Sequence, residues 1–203
     1  FFFSHAKTSD KKTMYAQVMD YFVIVCLGIF LIITLYIDLF KYFIGEQFYD
    51  GLKVVPILLL ANVCLGVYYN LSIWYKLSDQ TRKGAMISFI GAGITIGLNI
   101  WWIPLFGYVG SAWATFICYF SMMLICYFMG MKYYPIPYHI RHLLSFVGIA
   151  LILFFAGWYC RNYLYAGNYT RIFMINSALF LFFILAVYLF VKKDKMLTSP
   201  VRQ

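Results

Sequence analysis

The polar and apolar residues of this chain are segregated into long blocks. Apolar runs are separated by short polar stretches, and a helix needs roughly 20 mostly apolar residues to cross a bilayer. The pattern predicts six transmembrane helices, at Val18–Phe40, Val54–Tyr75, Ala85–Pro104, Gly110–Met131, Leu143–Tyr163 and Ile172–Val191. Because such runs are longer than those of buried core helices, we expect an all-α polytopic membrane protein.

The composition excludes a soluble globular domain. Hydrophobic residues make up 64% of the chain and charged residues only 11%, whereas soluble domains carry about 25% charged residues. We therefore expect three regions: a cytoplasmic segment at residues 1–17, a six-helix transmembrane lobe at 18–191 and a basic cytoplasmic tail at 192–203. The five cysteines all fall within predicted helices and form no CxxC pair, which favours packing over metal or redox roles.

The distribution of basic residues predicts the orientation. When loops are assigned alternately to the two membrane faces, one face receives only Lys41, Lys53, Arg161 and Arg171. The remaining twelve of the 16 Lys and Arg residues lie on the face that holds both termini, and cytoplasmic loops carry this excess. Both ends are therefore predicted to be cytoplasmic. Contact with anionic membrane lipids accounts for the net charge of +9 without a nucleic-acid partner.

Small and polar residues form stripes along three of the predicted helices. Membrane helices associate through small residues and interhelical hydrogen bonds, so such stripes should face protein or a water-filled cavity. The stripes are Gly84, Ser88, Gly91, Ala92, Thr95 and Asn99 on the third helix, Asn62, Gly66 and Asn70 on the second, and Gly110, Ala114, Cys118 and Ser121 on the fourth. Two interpretations remain open, namely helix packing and the lining of a substrate path. The substrate-path candidates are Asn62, Asn70, Ser88, Thr95 and Asn99.

The ionisable residues do not suggest catalysis. Asp20 and Asp38 fall at opposite ends of the first predicted helix, where we expect interfacial solvation. His139 and His142 have helical spacing but no neighbouring ligand, so we predict no metal site. Phosphate-binding and nucleophile-elbow motifs are absent from the sequence. We therefore expect no cofactor, no catalytic residue and no enzymatic activity.

The stretch from about Asp50 to Tyr138 carries a family pattern. It contains YNLSIWYKL at residues 69–77, TRKG at 81–84 and LNIWWIPLFGYVGSAWAT at 98–115. This stretch resembles the C-terminal half of bacterial polysaccharide flippases, the O-antigen and capsule exporters of the multidrug/oligosaccharidyl-lipid/polysaccharide exporter superfamily. The chain has Ser111 and Trp113 where the family usually has small residues such as alanine.

The resemblance implies a function and a longer protein. Members have fourteen helices in two lobes, so the six here would be the ninth to fourteenth, and Phe1–Phe3 would end the eighth. The implied substrate is an undecaprenyl-pyrophosphate-linked oligosaccharide, moved across the bacterial cytoplasmic (inner) membrane together with the N-terminal lobe of the same protein. A multidrug or lipid II exporter of the superfamily remains an alternative, as does a membrane-embedded acyl- or glycosyltransferase.

Overall fold

A computed structural model describes residues 8–164 and 168–198, with side chains for 12–164 and 168–192. These residues are almost entirely helical and contain no strand, which confirms the all-α prediction. The α-helices of the described chain are α1 (Thr8–Leu35), α2 (Ile37–Phe40), α3 (Val55–Leu71), α4 (Ile73–Leu77), α5 (Thr81–Tyr133), α6 (Ile140–Tyr159) and α7 (Tyr169–Thr198). Short 3₁₀ segments, Lys41–Phe43 and Glu46–Val54, lie between α2 and α3, and a π-helical segment, Cys160–Leu164, extends α6.

Five helical stretches of the described residues are long and apolar enough to cross a membrane. They are Lys12–Leu35, Glu46–Leu77, Thr81–Tyr133, Ile140–Leu164 and Tyr169–Lys192. The third has 53 residues, and a straight helix of that length would measure about 80 Å. That exceeds twice the roughly 30 Å hydrocarbon thickness, so α5 must fold back.

Gly107 divides α5 into two antiparallel arms, residues 81–106 and 108–133. Its backbone angles, φ 58° and ψ −140°, are those of the first central position of a type II′ turn, which glycine alone adopts readily. The Cys118 thiol in the second arm donates a hydrogen bond to the Gly91 carbonyl in the first, at 3.2 Å. The two arms correspond to the predicted third and fourth helices and bring the apolar helical segments to six.

The predicted ends of this hairpin were wrong. Pro104 was expected to end one helix and Gly110 to begin the next, but Pro104 lies inside the first arm. Proline fixes a φ that a helix accepts, and loss of one amide donor is tolerated in membrane helices. Within α5 only Gly107 has non-helical backbone angles, so the connection is a single residue.

The first predicted helix also has different ends. Helix α1 begins at Thr8, within the segment expected to precede the membrane, because Tyr15 and Ala16 are buried against Ile136. It ends at Leu35, and Tyr36 adopts a non-helical backbone (φ −103°, ψ 25°) before α2. Residues Phe1–Phe3, and the last five residues of the predicted basic tail, lie outside the described residues.

The chain divides into two compact units. The first comprises the described residues within Phe1–Cys26 and Gln47–Ile140, and the second those within Leu27–Glu46 and Arg141–Gln203. Helix α1 contributes its first part to one unit and its last part to the other.

A ladder of small residues packs the α5 hairpin within the first unit. Every fourth residue of the second arm is buried: Gly110, Ala114, Cys118, Met122, Cys126 and Gly130. Gly91 lies so close to Met122 and Cys118 that a Cβ atom there would overlap the Met122 sulfur. The stripe predicted on the fourth helix is therefore a helix-packing face.

The other two stripes are only partly buried. On the first arm Gly84 and Gly91 are buried, whereas Ser88 and Ala92 are exposed, because the face towards the second arm includes Ile87 instead. On α3, Gly66 packs against the Phe22 ring of α1, and a Cβ there would lie 2.5 Å from the ring.

The second unit is built around the end of α1, α6 and α7. Phe30 of α1 packs against Phe154 of α6 with ring centres 5.6 Å apart, and Gly157 of α6 adjoins Leu35. Helix α7 begins next to Asn168, whose side-chain oxygen accepts a hydrogen bond from the Arg171 amide at 3.2 Å. That bond satisfies one of the free amides of the first turn.

Candidate functional site

The predicted substrate-path residues mostly satisfy their donors within their own helices. Asn62, Asn70 and Asn99 each donate from Nδ2 to the carbonyl four residues earlier, at 2.8, 3.1 and 2.8 Å. Ser88 does the same to Gly84 at 3.1 Å. These side chains therefore need no partner on a neighbouring helix for their donors.

The five candidates do not converge on one place. Asn99 bonds to the carbonyl of Thr95, so these two are adjacent on the first arm of α5. Among the described residues, no hydrogen bond links them, or Ser88, to Asn62 or Asn70 on α3. Asn99 differs from the others because its Oδ1 atom is buried without a hydrogen-bond partner.

Asn70 lines a cavity of about 230 Å³ in the first unit, together with Tyr15, Val18 and Ile73. The cavity lies between the first part of α1 and the junction of α3 with α4. Apolar side chains dominate its wall, and Asn70 is its principal polar group. Of the five sequence candidates, Asn70 is the one that lines a described cavity.

An aromatic cluster lies at the junction of α4 with the ends of the α5 hairpin. Trp74 is only 1% exposed and donates from Nε1 to the Cys126 sulfur at 3.4 Å. Its ring stacks on Tyr133 with centres 5.8 Å apart, and the Lys83 ammonium lies 2.8 Å from the Tyr133 ring centre. Packing against Gly130 buries the Trp74 ring.

Asp20 is hydrogen-bonded to a histidine instead of being freely solvated. It is 18% exposed, and its Oδ2 lies 2.9 Å from Nδ1 of His139. His139 directly precedes α6, so Asp20 is level with the start of that helix, as expected for an interfacial position. The interpretation as simple solvation was wrong, because the 134–139 connection packs along α1 and places His139 beside Asp20. Burial in this connection raises the pKa of the Tyr138 phenol, which favours the neutral form.

Asp38 is held by cations. Lys41 Nζ lies 2.7 Å from one carboxylate oxygen and Arg161 Nη1 lies 3.7 Å from the other. The break at Tyr36 brings Asp38 into the short helix α2, within reach of Arg161 in the π-helical segment. Two cations therefore bind the Asp38 carboxylate, in addition to the solvent expected at the end of a helix.

The two predicted membrane faces differ in how their cations are neutralised. On the face predicted to be external, Lys41 and Arg161 pair with Asp38, and Lys53 pairs with Asp50 at 2.8 Å. Lys12, Lys83 and Lys132, on the face predicted to be cytoplasmic, instead lie 4.5, 2.8 and 5.7 Å from the centres of tyrosine rings. Within the described residues, none of these three lysines has a carboxylate within salt-bridge distance.

A second cavity, of about 150 Å³, lies in the second unit between α2 and the start of α7. Polar and aromatic groups at its wall include Tyr36, Asp38, Tyr42, Tyr169 and Asn176. Asn176 was missed by the sequence reasoning, although it is an amide within an apolar helix, as Asn62 and Asn99 are. Tyr36 and Tyr42 carried no signal, because the break that exposes them is not visible in the hydrophobic pattern.

The described residues contain no group of three or more His, Cys, Asp or Glu side chains placed to hold a metal ion. The five cysteines are free thiols; Cys118 and Cys126 are buried in the hairpin ladder, as expected for packing residues. No protein-family model, curated protein sequence or solved structure matches this chain.

Proposed function

We propose that this chain is the C-terminal part of a flippase that exports lipid-linked oligosaccharide across the bacterial cytoplasmic membrane. In this proposal two lobes move against each other around a central site, a common scheme among transporters built from repeats. The chain supplies six helices of the second lobe, and the first lobe precedes it in the same protein. Both ends of the described chain lie on the cytoplasmic face.

The observation that carries the proposal is the structure adopted by the family-like sequence. The stretch at residues 98–115, on which the resemblance depends, forms the α5 hairpin around Gly107, and the small residues that follow the turn form its packing face. These positions therefore have a structural reason to be glycine or small. The same residue types at this spacing are what the chain shares with polysaccharide flippases.

Two further observations support transport in a membrane. Described lysines without a carboxylate in salt-bridge distance on one face, and ion-paired cations on the other, suit the cytoplasmic orientation proposed for the ends. The rest of the chain also covers little of the surface of the apolar helices. Only 17% of the most apolar 18-residue segment of α7 is buried. Lipid, and the helices of a first lobe, would cover the remaining surface.

Deletion of the complete reading frame in its native bacterium tests the proposal. We expect loss of long-chain surface polysaccharide and accumulation of lipid-linked repeat units in the inner leaflet. Complementation with the complete frame should restore the polysaccharide, whereas residues 1–203 alone should not. Unchanged polysaccharide after deletion, with altered sensitivity to toxic compounds, would favour a multidrug exporter, and arrest of cell-wall synthesis would favour lipid II export. Full restoration by residues 1–203 would contradict the two-lobe mechanism.

A further inference from the structure

The helix break at Tyr36 positions a carboxylate and a cation in the second unit. The Leu35 carbonyl, the last of α1, accepts a hydrogen bond from Nδ2 of Asn176 at 2.6 Å, which ties the break to α7. The short helix α2 that follows the break contains Asp38. The next turn of the chain contains Lys41, whose Nζ atom lies 2.7 Å from one oxygen of that carboxylate.

Arg161 approaches the same carboxylate from the π-helical segment, a type of backbone that is frequent at functional sites. Its Nη1 atom lies 3.7 Å from the second oxygen of Asp38, which is too far for a hydrogen bond. The Arg161 side chain is only 17% exposed, yet its guanidinium donates no hydrogen bond to any residue that the structure describes. A guanidinium has five N–H donors, and a covered charge without hydrogen bonds is costly. Arg161 therefore has donors available for a ligand.

The Arg161 donors are accessible, and the charge around them is positive. Among the described residues, the polar atoms that are both fully covered and without a hydrogen-bond partner belong to other side chains, so the guanidinium nitrogens of Arg161 keep accessible surface. Arg161 and Lys41 contribute two positive charges and Asp38 one negative charge, which leaves a net charge of +1. Both cations lie within salt-bridge distance of one carboxylate, so they are close enough together to share one further anion.

The shape of the guanidinium and its place at a helix end indicate the kind of anion. The planar fork of an arginine donates two parallel hydrogen bonds to an oxyanion, and a lysine adds a point charge. Trp158 and Tyr163 flank Arg161 in sequence, and their exposed rings have centres 5.9 Å apart. Exposed Trp and Tyr at the end of an apolar helix mark the level of the lipid headgroups, where phosphate is the prevalent oxyanion.

We infer that Arg161 and Lys41 form a binding site for a phosphate group. The Arg161 guanidinium donates hydrogen bonds to two phosphate oxygens, and the Lys41 ammonium contributes a second positive charge. Asp38 keeps the two cations together and lowers the affinity, because its negative charge repels the ligand. A phospholipid headgroup and a free phosphate present the same chemistry to these side chains. The inference goes beyond the proposed transport function and does not depend on it.

Isothermal titration calorimetry of the purified full-length protein in a neutral maltoside detergent tests the inference. The probes are inorganic phosphate and dihexanoyl phosphatidylglycerol, a soluble phospholipid, at constant ionic strength. We expect at least one probe to bind, and Arg161→Gln to weaken that binding by about tenfold or more, as expected for the loss of a charge-assisted hydrogen bond. Arg141→Gln is the matched control, because it removes the same charge from an exposed arginine in the first turn of α6.

Asp38→Asn gives a second measurement, which a failure to fold cannot imitate. Removal of the competing negative charge should strengthen binding by about threefold, the effect of one exposed ion pair. Binding of inorganic phosphate alone would identify a soluble phosphate as the ligand, whereas tighter binding of the lipid would identify a headgroup. If neither probe binds, if Arg161→Gln binds as tightly as Arg141→Gln, or if Asp38→Asn does not strengthen binding, the inference is overturned.

Discussion

Replacement of Gly110 by alanine tests the close approach of the two α5 arms. A Cβ atom at Gly110 would lie 2.6 Å from the Trp102 carbonyl oxygen and 3.0 Å from the Trp102 carbonyl carbon. Since ordinary contacts begin at 3.4 Å, the backbone of one arm must move by about 0.8 Å. Backbone cannot rotate away as a flexible side chain can, so we expect the overpacking cost of about 1–3 kcal/mol.

Gly97→Ala is the control for the change in residue type. A Cβ there meets no atom within 4 Å, and alanine is up to about 1 kcal/mol more favourable than glycine within a helix. Both variants share that gain in propensity, so their difference isolates the contact with Trp102. We expect Gly97→Ala to match or exceed the parent in stability.

Thermal unfolding of the detergent-purified proteins, followed by size-exclusion chromatography after heating, gives the comparison. A cost of 1–3 kcal/mol corresponds to a midpoint about 2–12 °C below that of the control for a chain of this size. If Gly110→Ala unfolds at the same temperature as Gly97→Ala, or higher, the arms do not approach as closely as the structure shows.

Three further predictions concern the turn, the polar stripe and the orientation. Gly107→Ala should lower the same unfolding midpoint by an amount equivalent to about 1–3 kcal/mol. The cause is the positive φ of Gly107, since a Cβ atom at this position would meet no other atom within 4 Å. An unchanged midpoint would mean that the turn has another conformation. Asn99→Leu should reduce surface polysaccharide more than Ile100→Leu. Asn99, unlike Ile100, has a side-chain oxygen that is buried without a hydrogen-bond partner. Equal export by both variants would count against a polar role of Asn99. A cysteine at Gly51 should react with an impermeant maleimide in intact cells and one at Ser78 only after permeabilisation, and the reverse pattern would overturn the orientation.

The hydrophobic pattern was sufficient to predict the helices, because each apolar run exceeds the length that a bilayer crossing requires. It could not locate the breaks at Tyr36 and Gly107. Both residues lie within continuous apolar segments, and a hydropathy profile contains no information about backbone dihedral angles. The predicted helix ends at Pro104 and Gly110 left residues 105–109 for the connection, and hydrophobicity does not distinguish Gly107 from its neighbours there.

Less of the candidate site than of the fold could be predicted from the sequence. Stripes of small residues correctly predicted the packing of Gly110, Ala114 and Cys118, since helical periodicity fixes which residues share a face. The positions of the polar residues did not predict contacts in the same way. The side-chain amide of an asparagine can donate to the backbone carbonyl one turn earlier in its own helix, so it needs no acceptor on a neighbouring helix. Asn176 acts on Leu35, 141 residues away in sequence, and such a distant pairing depends on how the chain folds back.

The single-residue turn at Gly107 constrains how the chain enters the bilayer during synthesis. A span followed by a long loop can leave the translocation channel before the next span arrives, but the arms of α5 have no loop between them. They must enter together as one helical hairpin. In the predicted orientation the segment carried across is residues 104–110, which is uncharged and therefore inexpensive to transfer. A topology reporter fused immediately after Gly107 would consequently interrupt this joint insertion, and its signal would describe an isolated first arm instead of the native protein.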